Sequence, residues 1–115
     1  MKLPNAGNAF VDPEKLRRYA LDPAHRVGEH KARLFATLLD LGMEDADELR
    51  DILLDAGRTL DADLVGRDEH GDRYRLDFPV TRRGRHASLR SAWIVRPDEG
   101  FPRLVTCYPL AEGRR

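Results

Sequence analysis

The chain has 115 residues, 41% apolar and 35% charged, with 20 Lys and Arg set against 20 Asp and Glu. A chain of this size buries roughly two thirds of the surface its unfolded form exposes, enough for one core and too little for a large two-domain enzyme. No apolar stretch approaches the roughly 20 residues of a membrane span, and Met1-Lys2-Leu3-Pro4-Asn5 lacks the apolar run of a signal peptide, so a cytoplasmic protein is expected. Cys107 is the single cysteine, which excludes an internal disulfide and a multi-cysteine zinc site.

The opening residues 3–11 are rich in turn formers and read as an extended arm. Asp12-Pro13-Glu14 is a helix start, because Asp accepts an orphan amide and Pro has none to orphan. A first helix over 13–20 follows and is broken by Asp22-Pro23. Residues 24–28 connect to a second helix over 29–39, in which Ala32, Phe35, Leu38 and Leu39 share a face. Leu41-Gly42 marks its end. A third helix over 45–58 buries Leu49, Ile52, Leu53 and Ala56 and stops near Gly57. Its outer face is acidic: Glu44, Asp45, Asp47, Glu48, Asp51 and Asp55 against Arg50 give net −5.

After a linker of about a dozen residues the period changes from 3.6 to 2. Tyr74, Leu76, Phe78 and Val80 alternate with polar residues in a half-buried strand, which Pro79 marks as an edge or an end. Thr81-Arg82-Arg83-Gly84 reads as a turn into a strand over 86–96, and residues 97–102 connect to a strand over 103–109. The expected architecture is one α+β domain over 1–115, with three N-terminal helices (helical half about 12–58) packed on one face of a C-terminal antiparallel β-meander (about 72–110). Which face of the middle strand is buried decides between Arg90 and Ser91 as the site residue; Leu89, Ser91, Trp93 and Val95 are the better core face, and with that face inward Arg90 lies on the open side. On the last strand the period puts Leu104, Thr106 and Tyr108 on one side, with Val105 and Cys107 on the other. Trp93 and Cys107 read as core residues.

Net charge hides an asymmetry. Residues 1–64 carry 9 basic and 13 acidic side chains, and residues 65–115 carry 11 and 7. All eleven basic residues of the second part are Arg, which suits bidentate recognition of carboxylate or phosphate and is also what GC-rich coding favours. There is no phosphate-binding glycine loop, nucleophile elbow, His-Glu-x-x-His or calcium loop, so metal and cofactor chemistry are not expected. The densest polar cluster, Gly28-Glu29-His30-Lys31-Ala32-Arg33, lies at a helix start where backbone amides favour an anion. Arg90-Ser91 lies mid-strand, where Arg90 either pairs with Asp77 or stabilises a phosphoryl oxygen. Cleavage of RNA through the neighbouring 2′-hydroxyl needs a base, a cation and an acid. The chain supplies them in kind: His30, Arg90 and Tyr108 as catalytic candidates, with Lys31, Arg33, Ser91 and Thr106 as substrate-binding candidates.

Met1-Lys2-Leu3-Pro4-Asn5-Ala6, Gly28-x-His30-Lys31-Ala32-Arg33, Arg90-Ser91-Ala92-Trp93-Ile94-Val95 and Phe101-Pro102-Arg103-Leu104 through Thr106-Cys107-Tyr108 together resemble the bacterial domain family numbered 6883 among domains of unknown function. The order of helices and then sheet also resembles the ribonuclease fold group of barnase, the EndoU nucleases, tRNA-cutting colicin domains and RelE-type toxins. In that group Val105-Thr106-x-Tyr108-Pro109 matches a pattern of the last strands, and His30 and Lys31 match an early helix. That resemblance implies a metal-independent endoribonuclease of toxin type, acting on tRNA or mRNA and neutralised by a separate partner protein. The alternative reading is a non-enzymatic protein-binding module of a two-protein system, in which the acidic third helix and the Arg-rich sheet are complementary surfaces.

Overall fold

The computed structural model describes residues 1–26 and 29–110. Val27, Gly28 and residues 111–115 lie outside it, and with them Gly28 of the polar cluster. The N-terminal arm is anchored at both ends. Met1 accepts from the Ala62 amide, and Phe10 exchanges hydrogen bonds with Pro102 and Leu104. Leu3 is buried between these points and Val11 just beyond the second.

Asp12 caps α1 (Pro13–Lys15) by accepting from the Glu14 amide at 3.0 Å, and the helix runs on as a π-helical turn (Leu16–Ala20). Ala32, Phe35 and Leu39 of α2 (Glu29–Leu39) enter the core at helical spacing. The helix ends in a left-handed residue, Asp40 (φ 56°), after which the Leu41 amide reaches back to the Phe35 carbonyl. A 3₁₀ turn (Met43–Asp45) leads into α3 (Ala46–Thr59), which buries Ala46, Leu49, Leu53, Ala56 and Gly57. A Cβ at Gly57 would stand 3.4 Å from both Leu3 and Trp93.

The sheet has four antiparallel strands in sequence order: β1 (Asp63–Asp68), β2 (Gly71–Arg82), β3 (Arg85–Val95) and β4 (Pro102–Leu110). Three strands were expected. β1 lies in what reads as linker, because its side chains are almost all exposed and show no buried alternation. β2 does not end at Pro79; it continues to Arg82, and its last residues extend past the end of β1, so Pro79 sits on a free edge. The turn is the pair Arg83-Gly84, both at positive φ (52° and 78°), as a two-residue hairpin requires. At the β1–β2 turn Gly71 has φ 138°, and a Cβ there would meet the Val95 carbonyl at 2.3 Å. The core lies between the helices and one sheet face, where Tyr74, Leu76, Phe78, Leu89, Trp93, Leu104 and Cys107 meet Phe35, Leu39, Leu49 and Leu53.

Arg82, expected in a turn, is instead a buried tie between the two layers. Its Nε and Nη2 donate to Glu48 at 2.8 and 2.9 Å, Nη2 lies 3.3 Å from Asp45, and Nη1 donates to the carbonyls of Leu39 and Asp40. These bonds draw the Glu48 pKa below the ordinary carboxylate value, because its ionised form accepts them. Arg82→Ala should cost about 3 kcal/mol in urea unfolding, since it orphans two carbonyls and a carboxylate pair. Arg82→Lys should recover little, because an ammonium cannot form the fork. The deficit should be widest above pH 4.5, the ordinary value for Glu48. It should narrow as pH falls through the lowered folded pKa, where the wild type also loses this contribution.

Candidate functional site

The pleat decides which polar groups face solvent. Asp77, Arg90 and Tyr108 are cross-strand neighbours on β2, β3 and β4, on the face away from the helices. Arg90 Nε and Nη2 donate to the two Asp77 oxygens at 3.0 and 2.9 Å. Asp77 first, and then the Tyr108 hydroxyl, raise the Arg90 pKa, so the guanidinium is fixed in charge and orientation.

Strict alternation would put Leu104 on this face beside Thr106 and Tyr108. The structure corrects that expectation. A β-bulge pairs Ala92 with Thr106 and Trp93 with Leu104, leaving Val105 as the extra residue. Leu104 and Cys107 therefore both point inward while Thr106 and Tyr108 point out. The Lys15 ammonium donates to the Val105 carbonyl at 2.8 Å, pinning the bulge to α1.

Lys31 reaches the same place from the first turn of α2. Its Nζ donates to Thr106 Oγ1 at 2.8 Å and lies 5.3 Å and 5.5 Å from the ring centroids of Tyr19 and Tyr108. The Tyr19 ring also takes the edge of the half-buried His25 ring, with centroids 4.8 Å apart. A cation, two hydroxyls and an oriented guanidinium thus converge at the edge of the open face. Such a set has the chemistry to hold an oxyanion and to move a proton through Tyr108. Among the described residues no group of three or more His, Cys, Asp or Glu could hold a metal ion.

The family described as Domain of unknown function (DUF6883) matches residues 2–111. The chain belongs to this family. None of the curated proteins matches it. Among solved structures, this DUF6883 domain shares its fold with a chain from a contact-dependent growth inhibition toxin and immunity protein complex of Klebsiella pneumoniae 342. The TM-score is 0.62 at 18% identity, covering 90% of this chain and 95% of that one. At that identity the likeness concerns the fold.

Within the DUF6883 domain, four of the seven sequence-derived candidates meet: Lys31, Arg90, Thr106 and Tyr108. Ser91 does not join them. It is fully buried, donates to the Leu76 carbonyl at 2.8 Å and accepts from Trp93 Nε1 at 2.9 Å, so it completes the core and no substrate reaches it. Arg33 sits two residues beyond Lys31, on a different side of α2, and faces Glu29 at 4.0 Å. His30 is exposed on the first turn, one residue before Lys31. Cys107 is buried and its thiol is pushed up to about 12 by desolvation, which makes it a core residue and no nucleophile. Tyr19 and Lys15 were not singled out from sequence; Tyr19 gives no signal beyond a helix position near a break.

The Arg90–Asp77 pair is about one third exposed on each side, a setting in which an ion pair contributes little to stability. Arg90→Ala should therefore lower the unfolding free energy by no more than about 1 kcal/mol. A two-state melt beside the wild type checks this and qualifies the variant as a functional probe.

Proposed function

We propose that this domain is a metal-independent endoribonuclease of bacterial toxin type, acting on tRNA or mRNA by 2′-hydroxyl attack. The observation that carries the reading is the convergence of Lys31, Thr106, Tyr108 and Arg90 on the open sheet face. In this reaction the 2′-oxygen attacks phosphorus and the bond to the 5′-oxygen breaks. The 2′ proton passes to a base, and an acid protonates the departing 5′-oxygen. The products are a 2′,3′-cyclic phosphate and a 5′-hydroxyl. Lys31 and Arg90 stabilise the charge that builds on the phosphoryl oxygens, and Thr106 fixes the ammonium. Tyr108 carries one proton, and His30, exposed on the first turn of α2 beside Lys31, is the residue assigned the other. The fold is shared with a chain of a toxin and immunity protein complex, which supports a place in a two-protein system of that kind.

With chelator present, purified protein should cut bacterial RNA at discrete sites and leave 2′,3′-cyclic phosphate ends. Arg90→Ala and Lys31→Met should each reduce cutting on the order of a hundredfold or more. His30→Ala should lose a comparable factor. Sequencing of new RNA ends reads all of this.

A second reading, a protein-binding module without turnover, is favoured by one observation: Arg73, Arg75, Arg90 and Arg103 of the sheet each already hold a carboxylate. It expects intact RNA at high protein concentration and salt-sensitive association with a partner.

A further inference from the structure

We infer that the open face carries a nucleobase pocket built by the sheet's two β-bulges, beside the Arg90 and Tyr108 pair. The identity of its ligand rests on the ribonuclease reading. The sheet breaks register twice, between Leu64 and Gly66 in β1 and opposite the Ala92–Trp93 step in β4. Each break leaves one valine unpaired, Val65 or Val105. These belong to opposite edge strands, yet both line one hollow of about 270 Å³. Bulges re-aim side chains and recur next to active sites. Val65 is 54% exposed, a placement that core packing does not explain.

Between the two valines lies Ala92, whose small side chain leaves the floor shallow and apolar. Arg73 and Arg75 form one rim, and Arg90, Thr106 and Tyr108 form the other. Among the described residues no carboxylate lines it. Arg73 donates its Nε to Asp68 at 3.3 Å and Arg75 stands 3.8 Å from Asp63, and both keep further N–H groups for a ligand. A larger hollow of about 610 Å³ at the strand ends has Glu69 and Asp98 in its walls beside Arg73 and Arg96, and is less suited to an anion. Pockets for whole small ligands span roughly 300–1,000 Å³, so the smaller hollow takes one flat group. A flat apolar floor rimmed by guanidinium and hydroxyl donors matches a base, which stacks on its face and hydrogen-bonds along its edge. A base seated there has its phosphate beside Arg90 and Lys31.

The test uses the four ribonucleoside 3′-monophosphates, with inorganic phosphate as control, titrated against wild type, Val65→Ser and Ala92→Leu. Both substitutions are neutral and lie outside the core, so phosphate affinity should stay unchanged. Nucleotides should bind wild type more tightly than phosphate does. Affinity should fall severalfold in Val65→Ser, which removes a wall, and on the order of tenfold in Ala92→Leu, which fills the floor. Nucleotides binding no better than phosphate, or both variants matching wild type, would overturn the pocket. Cutting of RNA by a protein that gives that result leaves the ribonuclease reading standing without the pocket. Base-dependent binding sensitive to both variants, with RNA left intact, keeps the pocket and removes the ribonuclease reading.

Discussion

Alternation along a strand allows Leu104, Thr106 and Tyr108 to share a face only if Leu104 leaves the core, and the extra residue at Val105 removes that conflict. Trp93 needs Leu104 opposite it on the buried side, while Arg90 and Ala92 need Tyr108 and Thr106 opposite them on the open side. One inserted residue satisfies both requirements. The bulge cannot slide, because Lys15 holds the Val105 carbonyl and Phe10 pairs with β4 just before it. Every candidate group on β4 depends on that fixed register.

Charge on the open face is arranged in pairs. The sheet arginines meet carboxylates on neighbouring strands or turns, which is how a chain with balanced acids and bases presents many guanidinium groups without large self-repulsion. Lys31 is the exception at the site. Among the described residues its ammonium meets a hydroxyl and two ring faces and has no carboxylate partner. An uncompensated cation beside a hydroxyl and two aromatic rings retains its pull on an anion, whereas a paired Arg90 contributes orientation as much as charge.

The helices were legible because their buried residues recur at three and four and because Asp12-Pro13 sits where a cap belongs; Gly57, read as a stop, lies inside α3, which runs on to Thr59. The last three strands were legible from period 2 and from the Arg83-Gly84 turn. β1 was not, since a strand exposed on nearly every side chain carries no alternation to detect. Arg82 was misplaced because Thr-Arg-Arg-Gly has turn composition, and nothing local reveals that Glu48 and two carbonyls wait 34 to 43 residues earlier. Of the site, the apolar alternation of β3 favoured Arg90 for the open face, but it was the burial of Ser91 in the structure that decided between the two. The contact of Lys31 with Thr106 spans 75 residues and is a property of how α2 docks, which no spacing encodes. For the same reason Arg33, equal to Lys31 in composition terms, falls on a different side of the helix.

That docking is set at both ends of α2. At its C-terminus the carbonyls of Thr37, Leu39 and Asp40 accept from Arg85 and Arg82 at the β2–β3 hairpin. At its N-terminus Lys31 donates across to Thr106 on β4, and Phe35 is fully buried between the two. A helix clamped only at its C-terminus could pivot on Phe35 and carry Lys31 away from the sheet. One clamped at both ends cannot, so the polar tie at Arg82 and the site at Thr106 restrain the same rigid element. The left-handed conformation of Asp40, unusual for a residue other than glycine, is consistent with this. It turns the last carbonyls toward Arg82, while the Asp40 side chain takes Arg83 at 3.0 Å. The backbone cost at the end of α2 is thereby offset by the arginine pair that holds that end, while Lys31 and Thr106 hold the other.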